Sequence, residues 1–359
     1  MRRRSVDHYT GCLLGGAVGD ALGAPVEFMT ISEICRRYGV TGITSYVEYD
    51  SGDGEFTDDT QMTLFTAEAL LRAKHRAQLK GIGGALGVIA HQSYLRWLST
   101  QGIKLMQKKI DNGWLVQRHE LHKRRAPGNT CLLALSSGIA GTLDRPVNNS
   151  KGCGTIMRSA PVGLCFYGEP GRAFDVACEL AAITHGHPTG YLSAGVFSAI
   201  ISGLAVGANL EFSVLESVRI LKKWQNHEET LLAVGRAIDL FKLVRETGKV
   251  DPETLETLGG GWVAEEALSI SIFASLLFEK DFRTGVLYSV NHSGDSDSVG
   301  SVTGNILGLI NGVEEIPKEW IDRLKGHQLV KQIAIDLFTE VKGDLFNMNE
   351  EWWEKYPGH

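Results

Sequence analysis

Apolar residues recur at intervals of three to four along most of this chain, the spacing that places them on one face of a helix. Alternating apolar and polar positions, which are typical of strands, are scarce, and Ile43–Tyr49 is the best example. The pattern predicts helices at Tyr9–Leu22, Met62–Lys74, Leu86–Trp97, Cys131–Ala140, Arg172–Thr184, Leu192–Leu204, Phe212–Trp224, Thr230–Glu246, Val263–Phe278, Arg283–Val290, Val299–Ile310 and Glu319–Phe346. The sequence therefore predicts an all-α fold.

No proline-rich linker, low-complexity tract or internal repeat divides the 359 residues. We therefore expect a single domain over residues 1–359, with its motifs inside residues 8–312 and a C-terminal helical packing segment at residues 313–359. The uncharged stretch Tyr191–Leu210 is about long enough to span a bilayer. Its repeated Gly and Ser residues favour a buried core helix instead, so no membrane partner is expected.

The net charge and the cysteine spacing argue against two classes of function, nucleic-acid binding and zinc binding. The net charge of −6 is mild and spread along the chain, which predicts no nucleic-acid partner. The six cysteines form no CxxC pair and no spacing typical of zinc sites. In a chain of this length they indicate buried free thiols in a reducing compartment, and we expect a cytoplasmic protein.

Two short acidic clusters lie near opposite ends of the chain, Thr57-Asp58-Asp59-Thr60 and Gly294-Asp295-Ser296-Asp297-Ser298. Each places carboxylates beside hydroxyls, an all-oxygen set that suits a hard cation such as Mg²⁺ or Mn²⁺. If the fold brings the clusters together, the repulsion among four carboxylates would be relieved by two bound cations. The pair of clusters therefore predicts a dinuclear metal site and, through it, a hydrolase.

Local spacing is consistent with this prediction. Asp295 and Asp297 would point to opposite sides of a regular helix, but a turn that runs into a helix allows both to reach one ion. Either cluster alone is equally typical of a helix N-cap, where Asp, Ser and Thr are preferred. An EF-hand is excluded for the second cluster, because Val299 and Ile306 occupy ligand positions.

Two further segments have a composition typical of anion-binding turns. Gly128-Asn129-Thr130 precedes an apolar helix, and Gly152-Cys153-Gly154 is a second glycine-rich turn. Free backbone N–H groups in such turns bind anions well. The alternative is that both segments are simple caps and turns.

Six motifs follow one another along the chain: Gly11–Glu27 (GCLLGGAVGDALGAPVE), Phe56–Thr60 (FTDDT), Gly128–Thr130 (GNT), Gly152–Arg158 (GCGTIMR), Thr184–Pro188 (THGHP) and Asn291–Ser298 (NHSGDSDS). In identity and order they resemble the ADP-ribosylglycohydrolase family, which includes the ADP-ribosyl-arginine and ADP-ribosyl-serine hydrolases. The last two motifs resemble its bacterial branch. The resemblance implies a compact, orthogonal multi-helix domain with a cleft for two Mg²⁺ or Mn²⁺ ions.

Carried over motif by motif, the resemblance implies particular site residues. The expected metal ligands are Thr57, Asp58, Asp59, Asp295, Asp297 and Ser298. The expected substrate-binding residues are Gly128, Asn129, Thr130, Gly152, Cys153, Gly154, Met157 and His185, the last beside the adenosine part. Glu27 matches a flexible acidic residue near the metals. Arg124-Arg125 stands where some members have an acidic residue just before the GNT segment.

The implied reaction is the hydrolysis of ADP-ribose from a modified protein side chain. Water activated between two cations would attack the distal ribose, and Glu27, Asp59 or Asp297 would orient that water or move a proton. Arginine-linked ADP-ribose is the expected substrate, with free ADP-ribose as product. The alternatives are a hydrolase of serine- or acyl-linked ADP-ribose, a metal-independent two-carboxylate glycosidase, and an immunity-type protein that also occludes an ADP-ribosylating transferase toxin.

Overall fold

The computed structural model describes residues 4–48, 52–81, 83–103, 112–250, 252–342 and 350–358. Within them the chain forms helices joined by turns and loops, and Gly152 and Val263 form an isolated antiparallel β-bridge. The helices are α1 Val6–Gly23, α2 Ile31–Tyr38, α3 Asp58–Lys80, α4 Leu86–Thr100, α5 Asn129–Ser136, α6 Ala160–Cys165, α7 Pro170–Ala182, α8 Pro188–Leu204, α9 Leu210–Leu221, α10 Glu228–Thr247, α11 Pro252–Glu256, α12 Ala264–Leu277, α13 Phe282–Val290, α14 Ser296–Asn311, α15 Lys318–Arg323, α16 His327–Lys342 and α17 Glu350–Lys355. The all-α prediction is confirmed.

Helices α1 and α14 pack with their backbones in direct contact. A Cβ atom added to Gly304 of α14 would lie much closer to the carbonyl oxygen of Gly15 of α1 than the 3.0 Å that real Cβ atoms keep. The same contact repeats along both helices, through Gly11, Gly15, Gly19, Gly300, Gly304 and Gly308. Glycine at these positions lowers the intrinsic stability of each helix, but its lack of a Cβ atom lets the two backbones lie in contact along their length.

This helix pair positions the two acidic clusters. The N-terminal end of α14 carries Asp295 and Asp297, and it lies beside Gly23 at the C-terminal end of α1. From there the chain continues through the short 3-10 helix Ala24–Val26 to Glu27. Helix α3, which begins at Asp58, packs against both α1 and α14. The contact between residues 11–23 and 296–308 therefore brings the two ends of the chain to one place.

The apolar core runs through the whole helix assembly. Helix α8 lies almost entirely within it, and Phe197, Ile200 and Ile201 are fully buried. In the part of the chain that the structure describes, a bilayer-spanning length of apolar helix is reached only by Val6–Val26 and Ile31–Tyr38 together, with an 89° bend between them.

Three sequence predictions of secondary structure need correction. Residues 43–48 of the predicted strand form no strand, and Tyr49 lies outside the described residues. The predicted helix Glu319–Phe346 is divided in two, because α15 ends at Arg323 and α16 begins at His327. Gly326, between them, has a φ of 79°. Residues 343–346 of the predicted helix lie outside the described residues. Helix α3 begins four residues before the predicted start at Met62, because Thr57 caps it.

Candidate metal and substrate site

The first acidic cluster forms the N-terminus of α3. Thr57 is the N-cap in an extended conformation, and its Oγ1 accepts a hydrogen bond from the backbone N of Asp59 at 3.4 Å. Asp58 and Asp59 are the first two residues of the helix, and both are buried. The partial positive charge of a helix N-terminus offsets some of the cost of placing two carboxylates there.

The second cluster forms the N-terminus of α14 in the same way. Asp295 is the N-cap, and its Oδ1 accepts a hydrogen bond from the backbone N of Ser298 at 3.3 Å. That N–H also donates to Oδ1 of Asp297 at 2.9 Å. Gly294, with φ of 131°, allows the preceding turn to lie against Gly260. A turn that runs into a helix is the geometry that lets carboxylates two residues apart face one point.

The two helix termini and Glu27 converge on one cavity. Carboxylate oxygens of Glu27, Asp295 and Asp297 lie within 4.8 Å of one another. The cavity has a volume of about 370 Å³. Its lining residues are Glu27, Phe28, Asp58, Asp59, Ala126, Pro127, Gly128, Asn129, Thr130, Cys131, Gly152, Cys153, Gly154, Met157, His185, Trp262, Asp295, Asp297 and Ser298.

Burial and mutual repulsion disfavour the ionised form of these carboxyl groups. Burial, followed by the nearby carboxylates of Asp297 and Asp295, raises the pKa of Glu27 to about 10. Burial and then the Asp297 carboxylate raise the pKa values of Asp58, Asp59 and Asp295 well above the usual value for aspartate. In the protein alone these carboxyl groups therefore favour the protonated form, and a positive charge placed among them would favour their ionisation.

The donors fit a hard divalent cation. Oδ1 of Asp59 is buried and accepts no hydrogen bond from any residue that the structure describes. Leaving a buried carboxylate oxygen without a partner is costly, and a cation coordinated there would remove the cost. Among the described residues, Glu27, Asp295 and Asp297 are also the only group of three or more such side chains close enough to share an ion.

Asp20 holds the first cluster in place, and sequence reasoning did not identify it as a site residue. It is fully buried on α1, and its Oδ1 accepts a hydrogen bond from the backbone N of Thr57 at 2.8 Å. Its Oδ2 accepts hydrogen bonds from the N and the Oγ1 of Thr60. A lone carboxylate inside the small apolar residues of the α1 sequence is the signal that could have revealed it.

The two glycine-rich segments lie at the same cavity. The backbone N of Gly128 donates a hydrogen bond to Oδ2 of Asp58 at 3.2 Å, and α5 begins at the next residue. The thiol of Cys153 donates to Oδ2 of Asp295 at 2.6 Å. The structure therefore brings both segments to the carboxylates, although neither is near them in sequence.

Comparison with known proteins identifies the family to which a chain with this cavity belongs. A family model described as ADP-ribosylglycohydrolase matches residues 1–345. The chain belongs to the ADP-ribosylglycohydrolase family. It is accordingly an enzyme of the class that releases ADP-ribose from modified targets.

Relatives of this ADP-ribosylglycohydrolase are similar over nearly their whole length. The ADP-ribosyl-(dinitrogen reductase) glycohydrolase of Rhodospirillum rubrum is 24% identical over 321 residues, which cover 89% of this chain and 90% of the relative. The ADP-ribosylarginine hydrolase Tri1 of Serratia proteamaculans is 24% identical, with 93% and 80% covered. The human ADP-ribosylhydrolase ARH3 is 22% identical, with 93% of each chain covered.

The fold has a counterpart among solved structures. A chain described as an ADP-ribosylglycohydrolase-related protein complex superposes with a TM-score of 0.65 at 23% identity. The match covers 94% of this chain and 98% of that one. It shows that the helical fold of this family is shared.

His185 lies under the Gly152–Gly154 turn of the glycohydrolase cavity. Its Nδ1 is 2.8 Å from Oγ1 of Thr184, and the ring is only 1% exposed. A Cβ on Gly154 would lie 3.1 Å from the ring, a tight contact that glycine avoids. Burial, and then the charge of Arg158, lowers the pKa of His185 well below its usual value, so the imidazole is neutral. Met157 is also nearly buried, at 2% exposed.

Thr57 occupies a position different from that of the other predicted metal ligands. It does not line the cavity and is fully buried, whereas Asp58, Asp59, Asp295, Asp297 and Ser298 all reach the cavity wall. Oγ1 of Thr57 instead accepts the hydrogen bond from the backbone N of Asp59 and so caps α3.

Sequence reasoning also missed an aromatic pair at the cavity. The rings of Phe28 and Trp262 are stacked, with centroids 4.9 Å apart and planes 27° from parallel. Phe28 has φ of 69° and its side chain is 72% exposed. Phe28 follows Glu27 directly and Trp262 follows the 259–261 glycines, so the pair joins two loops that meet only in the folded chain.

Proposed function

We propose that this glycohydrolase removes ADP-ribose from arginine side chains of modified proteins, using two Mg²⁺ or Mn²⁺ ions. The observation that carries the proposal is the meeting of two acidic helix N-termini and Glu27 in one cavity, where Oδ1 of Asp59 has no hydrogen-bond partner among the described residues. Such a concentration of carboxylates exceeds what a metal-independent glycosidase needs, since that mechanism uses two.

The residues proposed to hold the ions are Asp58, Asp59, Asp295, Asp297 and Ser298, with Thr57 either as a further ligand or as the cap of α3 alone. All offer oxygen, which matches the preference of Mg²⁺ and Mn²⁺. Bound ions would offset the repulsion among the carboxylates and supply Lewis-acid polarisation of water and of the ribose hydroxyls. Asp20 would keep the Thr57–Thr60 turn in the conformation that presents Asp58 and Asp59.

Three carboxylates are proposed to orient the attacking water and to transfer a proton. Glu27 stands within 4.8 Å of Asp295 and Asp297, at the cavity wall. A carboxyl group at that position could donate a proton to a leaving guanidine, which is too basic to leave without acid assistance. Asp59 and Asp297 are the candidates for orienting the attacking water.

The remaining lining residues are proposed to hold ADP-ribose. The start of α5 at Asn129 and the Gly152–Gly154 turn would bind the diphosphate and ribose through backbone N–H groups. His185 would lie beside the adenosine part. Its neutral imidazole suits contact with a base, because a cationic ring at that depth would lack a counter-ion.

The arginine linkage is proposed from likeness to two relatives. One is named for dinitrogen reductase and the other for ADP-ribosylarginine, and both cover most of this chain. All six cysteines are free thiols, which supports the further proposal that the enzyme works in a reducing compartment such as the cytoplasm.

Matched substrates test the proposal. Arginine-, serine- and acyl-linked ADP-ribose peptides of one sequence are incubated with the protein in Mg²⁺, in Mn²⁺ and in excess chelator, and free ADP-ribose is measured. We expect release that is fastest from the arginine linkage and abolished by chelator. Faster release from serine would contradict the arginine assignment, and full turnover by metal-stripped protein would contradict the metal assignment. Tight binding of a transferase toxin without any release would support the occlusion alternative.

A further inference from the structure

A second cavity, which we call the acidic pocket, lies between α10 and α12. Its volume is about 380 Å³. Its lining residues are Lys151, Glu229, Leu232, Ala233, Arg236, Glu256, Thr257, Leu258, Gly259, Glu265, Glu266 and Ser269. Four glutamates thus face one lysine and one arginine, so the pocket carries an excess of negative charge.

The charges in the acidic pocket are only partly satisfied. The Lys151 ammonium pairs with Glu229 at 2.5 Å and also with Glu265. Two other glutamates are committed to loop backbone, since Glu256 accepts from the N of Ser293 and Glu266 accepts from the N of Gly260. One cation therefore serves two carboxylates at this point.

Glu265 supplies the observation that indicates a ligand. Its side chain is only 8% exposed, and one oxygen, Oε1, contacts Lys151. The other oxygen, Oε2, is buried and accepts no hydrogen bond from the residues that the structure describes. A carboxylate oxygen in that state would be stabilised by a further hydrogen-bond donor.

The arrangement suits a basic side chain better than a metal ion. Among the described residues, the acidic pocket holds no three carboxylates whose oxygens come within 4.8 Å of one another. Glu27, Asp295 and Asp297 form such a group in the cavity described above, which we call the catalytic cavity. The Lys151 ammonium would also repel a divalent cation from Glu229 and Glu265 about twice as strongly as it repels a singly charged side chain at the same distance. A guanidinium or ammonium group, with several N–H donors, can contact carboxylates that are spread apart.

The acidic pocket adjoins the catalytic cavity through two short connections. Lys151 lines the acidic pocket, and the next residue, Gly152, lines the catalytic cavity. Likewise, Gly259 lines the acidic pocket, and Trp262, three residues later, lines the catalytic cavity. Three residues of chain span at most about 11 Å, so the pocket lies within reach of side chains a few positions from a modified residue.

We propose that the acidic pocket binds a lysine or arginine of the substrate protein that lies near the ADP-ribosylated residue. This specificity rests on the function proposed above. The acidic pocket would favour modified sites in basic surroundings, and its contribution would be made in substrate binding, since none of its carboxylates lines the catalytic cavity.

Flanking-residue peptides test this inference. Two ADP-ribosylarginine peptides differ only in having lysine or glutamine at the positions two to four residues from the modified arginine, and free ADP-ribosylarginine serves as the reference substrate. The enzymes are wild type, Glu229→Gln, Glu265→Gln and Lys151→Gln. The control is Glu216→Gln, a half-buried glutamate of α9 that pairs with Arg219 among the described ion pairs. The kcat and KM for ADP-ribose release are measured at low and high salt.

We expect wild type to favour the lysine peptide by roughly three- to tenfold in kcat/KM, mainly through KM, as for a partly exposed ion pair. The ratio of kcat/KM for the lysine peptide to that for the glutamine peptide should approach one in Glu229→Gln and Glu265→Gln. The ratio should increase in Lys151→Gln and decrease as the salt concentration rises. Glu216→Gln should match wild type, and the reference substrate should be cleaved equally by all variants.

Equal kcat/KM for both peptides with wild type would overturn the inference while leaving the proposed function intact. So would an unchanged preference in Glu229→Gln, which decides the matter alone if Glu265→Gln fails to fold by its melting curve. Absence of release from every substrate, including free ADP-ribosylarginine, would instead overturn the proposed function and the role of the pocket with it.

Discussion

Asp20 and Thr60 are joined by a hydrogen bond of 2.5 Å from the Thr60 hydroxyl to Oδ2 of the Asp20 carboxylate, inside the core. The same oxygen accepts the backbone N–H of Thr60, and Oδ1 accepts that of Thr57. One carboxylate on α1 therefore fixes both ends of the turn that presents Asp58 and Asp59. The geometry of the proposed metal ligands Asp58 and Asp59 therefore depends on a residue that is not itself proposed as a ligand.

The first prediction concerns Asp20→Asn. The amide would place an NH₂ group against one of the backbone N–H donors, so at least one hydrogen bond is lost. In excess Mg²⁺ we expect the free energy of unfolding to fall by about 1–3 kcal/mol, the cost of an unsatisfied buried partner, and Mg²⁺ to bind more weakly. Denaturant unfolding and metal titration measure both. Thr60→Val, which removes only the hydroxyl, is the control and should lose less.

The second prediction concerns Asp297→Asn. After burial, the Asp297 carboxylate is the main cause of the raised pKa values of Glu27, Asp58, Asp59 and Asp295. Neutralising it should relieve repulsion, so in chelator the variant should be at least as stable as wild type, although its hydrolytic activity is lost. In excess Mg²⁺ wild type should be the more stable, because it gains more binding free energy.

Melting curves of both proteins in chelator and in Mg²⁺ would reveal this crossing. A variant clearly less stable than wild type in chelator would show that Asp297 acts chiefly as a cap of α14. That outcome would remove the electrostatic argument for the metal site.

The third prediction concerns His185→Ala. If the ring lies beside the adenosine part of the ligand, the variant should bind ADP-ribose more weakly by about 1–3 kcal/mol, the range for base–aromatic contact. Calorimetric titration gives the dissociation constant. The control is His187→Ala, since His187 caps α8 outside the cavity lining and should leave the constant unchanged. An unaltered constant for a folded His185→Ala would mean that the histidine serves only the core.

The fourth prediction concerns Gly304→Ala. The added methyl group would overlap the carbonyl oxygen of Gly15, and backbone cannot move aside as a flexible side chain would. We expect a loss of at least about 1–3 kcal/mol in unfolding free energy. The matched control is Gly235→Ala in α10, where the added atom meets nothing within 4 Å. That variant should gain about 0.5–1 kcal/mol from helix propensity. Equal effects of the two substitutions would contradict the backbone contact between α1 and α14.

The sequence by itself determined the helical class and most helix positions, because a repeat of apolar residues is a local property that survives in any context. It also determined which residues offer chemistry: the acidic clusters are adjacent in sequence, and the resemblance to a family rests on such short motifs. The N-terminal positions of Asp58 and Asp295 follow from capping preferences that act within a few residues. Even here the alternating pattern at Ile43–Tyr49 was misleading, since residues 43–48, the part that the structure describes, form no strand.

Only the tertiary structure decided what lies next to what. The Phe28–Trp262 stack, the bond from Asp20 to Thr60 and the acidic pocket each join segments far apart in the chain. No local pattern encodes such pairs, because each depends on how elements distant in sequence pack. The glycines at 15 and 304, for example, set how closely α1 and α14 approach. The raised pKa of Glu27 has the same origin, since burial and neighbouring carboxylates exist only once the helices have packed.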